Sequence, residues 1–164
     1  MKRLIHAILM CAALWQGCGV AHGQWGAPGY DPYRPVIANV PVWCTAYTGQ
    51  AVAFIPNWSL PDVGRAVPGL PPRIELNPQV LMQMSATMQL FWYAHECAHH
   101  VLGPANSEVN ADCWAIKTLR NQGYLPPQQL AQLQHMILNT PGSMWGHLPG
   151  PHRAQLFAQC YQTP

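Results

Sequence analysis

Charge is scarce in this chain. Only 9% of its 164 residues are Asp, Glu, Lys or Arg. Past the first three positions the basic residues Arg34, Arg65, Arg73, Lys117, Arg120 and Arg153 are scattered and form no stripe. A phosphate-binding surface needs such a stripe, so the pattern argues against nucleic acid as a partner. The apolar run at residues 4–15 is too short to cross a bilayer comfortably, which argues against a stable membrane span. No two cysteines stand at Cys-x-x-Cys spacing, and no internal repeat is present.

What is present supports one folded domain. Hydrophobic residues make up 49% of the chain and include seven Trp, enough to build a core. Seventeen Pro and thirteen Gly cluster outside the central region and predict irregular segments around a helical centre. Residues 1–23 read as an export signal: basic Lys2 and Arg3, the apolar run, and a small-residue exit at Ala21-His22-Gly23. This places the protein in the periplasm or outside the cell. Cys18 offers the competing reading of a lipid-modified N-terminus. Export would leave Cys44, Cys97, Cys113 and Cys160, an even set that in an oxidising compartment predicts two disulfides. Of three possible pairings, Cys97 with Cys113 and Cys44 with Cys160 is the one expected, because the first would join two central helices.

Along the chain, residues 24–39 form an irregular N-terminal segment, and residues 40–164 carry the domain. Val42, Trp43, Thr45, Tyr47, Val52, Phe54 and Ile55 around Thr48-Gly49-Gln50 predict a β-hairpin over 40–58. Residues 59–72 read as loop. Arg73-Ile74-Glu75-Leu76-Asn77 alternates in polarity between prolines, which predicts a short strand at a sheet edge, open to pairing with a peptide. From there the period becomes helical: Met84, Met88, Phe91, Trp92, His95 and His99 predict a helix over 83–101 that ends at Gly103-Pro104. A second helix, capped by Asn106 or Ser107, runs to Gly123; a third follows Pro126-Pro127; a last short one covers 153–160. The fold class is therefore α+β, a small antiparallel sheet with its edge strand against the central helix.

The chemistry gathers in His95-Glu96-Cys97-Ala98-His99 and the residues after it. Three of the six acidic residues, Glu96, Glu108 and Asp112, stand within this short stretch. Positions i and i+4 share a helix face, so His95 and His99 can aim two imidazoles at one point. Glu96 is turned about 100° away, where it is poorly placed as a ligand but able to act as a general base. A catalytic zinc needs a third protein ligand and an open position. The spacing with a third His would require Gly and His where Leu102 and Ala105 stand, and the spacing with a distant Glu falls on Thr118. Glu108 is left, delivered by a helix that turns back at Gly103-Pro104. Asp112 is four residues further on the same face, where a carboxylate can hold the second N–H of a ligand His. His100 is read as packing or solvated.

With these residues in view, the chain resembles the gluzincin zinc metallopeptidases, in particular the short-spaced group of the CAAX-processing membrane proteases and their soluble exported relatives. The resemblance covers roughly residues 72–160. It implies a zincin-like (minigluzincin) domain, one catalytic Zn2+ and hydrolysis of peptide bonds in a peptide or protein substrate held by the edge strand. Such proteins also carry His-Pro followed by Arg near the site. Here the stretch is His147-Leu148-Pro149-Gly150-Pro151-His152-Arg153. The resemblance implies a site role for His147 or His152, with Arg153, and His147 keeps the better spacing; its part would be to donate to a developing oxyanion. Two other readings stand beside the enzyme: an exported zinc-binding module that hydrolyses nothing, and a disulfide-stapled structural protein. The carboxylate of Glu96 argues against the first, since a ligand-only site does not need it.

Overall fold

A computed structural model describes residues 29–142 and 146–163. The expected export signal at 1–23, Cys18 and residues 24–28 lie outside the described residues. The described chain is a mixed α+β domain of two small sheets and five α-helices.

The Pro-rich lead-in is tied down by specific bonds. Tyr30 donates its hydroxyl to the Phe54 carbonyl at 2.8 Å, and the Phe54 N–H donates to the Pro32 carbonyl at 2.7 Å. Strands β1 (Val36–Ile37) and β2 (Val40–Pro41) then pair antiparallel about Ala38 and Asn39, both with positive φ. Two consecutive positive φ angles are the signature of a type I′ hairpin turn, whose twist matches that of the strands.

The hairpin expected over 40–58 is reduced to one loop. Thr45 bridges Ala51 and Gly49 takes a φ of 83°, but β3 (Ala53–Pro56) leaves to join another sheet, where it runs parallel to β5 (Arg73–Leu76). The sheet is therefore mixed, not antiparallel. Its order, β3-β5 and then β4 (Gly64–Val67), also corrects the expected edge. Strand β5 is central, because its flanking prolines stand outside the four ladder residues and leave their N–H groups able to pair on both sides. The edges are β3 and β4, and β4, antiparallel to β5, lies within residues read as loop. Its Gly and Ala carry little strand preference. Pairing is fixed instead by Glu75, directly opposite Arg65. The buried Glu75 carboxylate accepts from Arg65 Nε and Nη2 at 2.9 and 2.8 Å, from Arg73 Nε at 2.8 Å and from Asn57 Nδ2 at 2.9 Å.

Helix α1 (Pro78–Leu81) is capped by Asn77, and α2 (Ala86–Val101) by Ser85, which accepts from the Met88 N–H. The single predicted helix over 83–101 is thus preceded by a separate turn. Helix α2 is buried along most of its length and forms the spine of the domain, with β4 and β5 on one side and α3 (Glu108–Asn121) on another. Between α2 and α3 the chain reverses through Gly103, at φ 51°, and a 3-10 turn, Gly103–Ala105. Of the two candidate caps, Ser107 accepts from the Asn110 N–H and starts α3. Helices α4 (Pro127–Ile137) and α5 (Gly150–Gln162) complete the domain, with α5 packed on both α3 and α4.

Two disulfides are present, as expected, but with different partners: Cys44–Cys97 ties the N-terminal loop to α2, and Cys113–Cys160 ties α3 to α5. The helical period explains the correction. Cys97 is two residues, or about 200°, from both His95 and His99, so it points away from the face that meets α3.

Candidate metal centre

His95 and His99 stand one turn apart on α2, and the reversal at Gly103 brings Glu108, the first residue of α3, across from them. His95 Nε2 and His99 Nε2 are 3.2 Å apart, His95 Nε2 and Glu108 Oε2 3.3 Å, and His99 Nε2 and Glu108 Oε1 3.5 Å. These three residues can hold a metal ion. Ligands about 2.0–2.2 Å from a tetrahedral ion lie about 3.3–3.6 Å from one another, so the donor spacing fits such an ion. Burial is graded across the triangle: the His95 side chain is fully buried, His99 is 12% exposed and Glu108 23%. The open side is therefore that of His99 and Glu108.

Each imidazole is oriented from behind. His95 Nδ1 lies 2.8 Å from Asp112 Oδ1, and His99 Nδ1 lies 2.7 Å from Asn106 Oδ1. Such partners place the proton on Nδ1 and leave the Nε2 lone pairs directed at the centre. Asp112 is itself gripped by Arg153, which donates Nε–H to Oδ2 at 2.9 Å and Nη2–H to Oδ1 at 2.6 Å. The guanidinium is buried with its carbon 4.6 Å from the Trp92 ring centroid. Arg153 thus stands behind Asp112 and acts through it.

Glu96 is buried and turned toward β4. A Cβ on Gly64 would overlap the Leu76 Cδ2 methyl and stand 3.1 Å from Glu96 Oε1, so glycine permits β4 to close on α2 at this point. His147 is also buried, its Nε2 3.5 Å from Glu96 Oε1 and its Nδ1 3.3 Å from Asp62 Oδ2, whereas His152 is exposed. Of the two candidate histidines, His147 is the one at the centre. His100 is buried on another face of α2, where Nε2 lies 3.0 Å from the Arg73 carbonyl and burial pulls its pKa down.

The electrostatics call for a cation. Burial opposes the charged form of His95, but hydrogen bonds to Asp112 and Glu108 and the nearby Glu96 charge outweigh it, and its pKa is raised to about 9. Burial likewise opposes ionisation of Glu108 and Asp112; His95, with Arg153 at Asp112, holds both below the ordinary carboxylate range. At the centre the buried Glu96 Oε1 has no hydrogen-bond partner, and Glu108 Oε2 has only the approach of His95 Nε2 at 3.3 Å.

The seven residues singled out in the sequence, His95, Glu96, His99, Glu108, Asp112, His147 and Arg153, are therefore all within this constellation. Three participants were not: Asn106, Asp62 and Gly64. Asn106 carried a signal as one of two helix caps, and its freedom from capping leaves it for His99. Asp62 and Gly64 carried none, since a loop among prolines gives no period to read. Together with Ala66, His99 and Glu108, Gly64 lines a groove of about 510 Å³ that runs along β4 to Glu96 and His147. Among the described residues, no helix is long and apolar enough to cross a membrane. No family model matches the chain, and searches of the curated proteins and of the solved structures found no match.

Proposed function

We propose that this chain is an exported zinc-dependent endopeptidase of zincin-like fold. Two imidazoles and one carboxylate in a tetrahedral arrangement with an open side suit zinc among the common divalent ions. His95, His99 and Glu108 would hold it, and bound there it supplies a Lewis acid that acidifies water and polarises a peptide carbonyl. Glu96 accepts the proton of the attacking water on Oε1 and returns it to the leaving amine. His147 donates from Nε2 toward the carbonyl oxygen as negative charge develops there. Asp112 and Asn106 keep His95 and His99 in the tautomer that leaves Nε2 free.

Strand β4 gives the substrate a place. The Asn77 N–H donates to the Val63 carbonyl, which makes that pair hydrogen-bonded in the ladder. By alternation Gly64 and Ala66 then direct their N–H and C=O groups to the outer edge, beside the groove. An extended peptide can pair there and carry its scissile bond past Glu96. The two disulfides fit the oxidising compartment that export provides.

The observation that carries the reading is the buried Glu96 Oε1, which has no hydrogen-bond partner and lines the groove beside the triangle of His95, His99 and Glu108. The test is digestion of a peptide library by zinc-loaded mature protein and by Glu96→Gln. Cleavage should fall by about 10²–10⁴-fold in the variant while zinc stays bound. Equal digestion by both would end the claim. Stoichiometric zinc with no cleavage by either would leave the non-catalytic zinc module in its place.

A further inference from the structure

A cavity of about 540 Å³ lies among the chain from β2 to Thr45, helices α2 and α3, and the turn after α3. No residue of the metal centre lines it, and neither does any Asp, Glu, Lys, Arg or His. Each side supplies an aromatic ring: Trp43 from the loop, Tyr93 from α2, Trp114 from α3 and Tyr124 from the turn that follows. Tyr93 is buried at the wall, whereas Trp43 is 68% exposed and Tyr124 39%. Among the described residues, Trp43, Trp114 and Tyr124 pair with no other aromatic ring. The loop is also fixed in place: Cys44, next to Trp43, is bonded to Cys97 of α2, and both cysteines line the cavity.

We infer that this cavity is a binding site for an uncharged small molecule built on a flat aromatic ring. It is a second site, and it does not depend on the peptidase reading. Cavities that take small molecules hold about 300–1,000 Å³ and are mostly apolar, with a few polar groups to fix orientation. Here Thr45, Thr118 and Gln122 offer hydroxyl and amide groups without charge. A charged ligand would give up water and find no opposite charge in the lining to replace it. A flat ring has two faces and an edge to set against the aromatic side chains, and it covers apolar surface that Trp43 and Tyr124 otherwise leave to water. Because the disulfide already holds the Trp43 loop on α2, little remains to be ordered when the ligand enters.

The test uses two fluorescent probes with the same rings, neutral N-phenyl-1-naphthylamine and anionic 8-anilinonaphthalene-1-sulfonate, on the zinc-loaded mature protein. The neutral probe should bind saturably at one per chain, at least about 10-fold tighter than the sulfonate. Acetohydroxamate, which would bind at the metal centre, should leave that affinity unchanged. Trp43→Ala and Tyr124→Ala each remove an exposed ring, so both should keep the wild-type melting temperature while weakening the neutral probe by about 10-fold. Thr118→Trp, which fills the cavity from α3, should abolish binding. Absence of saturable binding to the wild type, a sulfonate bound as tightly as the neutral probe, or full affinity in both alanine variants would each overturn the assignment. So would light scattering that shows a wild-type dimer split by Trp43→Ala, since a second copy of the chain would then cover this face.

Discussion

Asp112 Oδ1 stands between two nitrogen partners, 2.6 Å from Arg153 Nη2 and 2.8 Å from His95 Nδ1. One oxygen of a fully buried carboxylate therefore joins α5 to α2 through α3. Replacing Asp112 by Ala releases the proton-bearing nitrogen of His95 and leaves the Arg153 guanidinium buried without its partner. The loss of such a support lowers metal affinity by about 10–100-fold. Asn106→Ala should do the same through His99, without uncovering a buried charge. Zinc affinities from competition with a chromophoric chelator check both. Affinity unchanged in Asn106→Ala would show that the orientation of His99 does not depend on Asn106.

Gly64 is the point of closest approach between the edge strand and α2. Gly64→Ala adds a methyl that overlaps the Leu76 side chain and crowds Glu96. Overpacking of this kind costs about 1–3 kcal/mol. Chemical denaturation should report that loss, and peptide cleavage should fall by more than the stability change explains, since β4 shifts relative to Glu96. Stability and cleavage both at wild-type level would show that β4 has room to yield.

How much of this could be read beforehand depended on whether one local period fixes the position. His95, His99, Glu108 and Asp112 converge because two helices each contribute an i, i+4 pair and the turn between them is short. The same period places Cys97 on the far side of α2, toward Cys44 and away from α3. Strand β4 had no pattern to read: Gly64-Arg65-Ala66-Val67 does not alternate in polarity, and only its pairing to β5 through Arg65 and Glu75 makes it a strand. Asp62 was hidden for the same reason, since its position beside His147 is set by loops brought together from distant parts of the chain.

The two disulfides close loops with sequence separations of 53 and 47. Loop-closure entropy alone assigns each about 4 kcal/mol. Peptide mapping without reduction should recover Cys44 linked to Cys97 and Cys113 linked to Cys160. Recovery of Cys97 with Cys113 would contradict the geometry of α2. Reduction should lower the melting temperature even in zinc-loaded protein, because neither bridge joins α2 to α3, the two helices that an ion at His95, His99 and Glu108 would tie together.

Glu75 sets the acid limit of the sheet. Burial raises its pKa, but hydrogen bonds from Asn57, Arg73 and Arg65, with the Arg65 charge, outweigh this and hold it below the ordinary carboxylate value. A carboxyl more acidic in the folded than in the unfolded chain stabilises the fold at every pH above its unfolded pKa, about 4.3, and that contribution is lost as pH falls through the lower folded value. Glu75→Gln cannot ionise and keeps only part of the hydrogen bonding. Wild type should therefore be more stable than Glu75→Gln at pH 7, with the gap narrowing once the pH drops below about 5. Urea titrations of both proteins from pH 7 to pH 3, carried out with chelator present so that the metal centre does not contribute, measure that gap. A difference that stays constant across the range would mean that the Glu75 charge is not what ties β4 to β5.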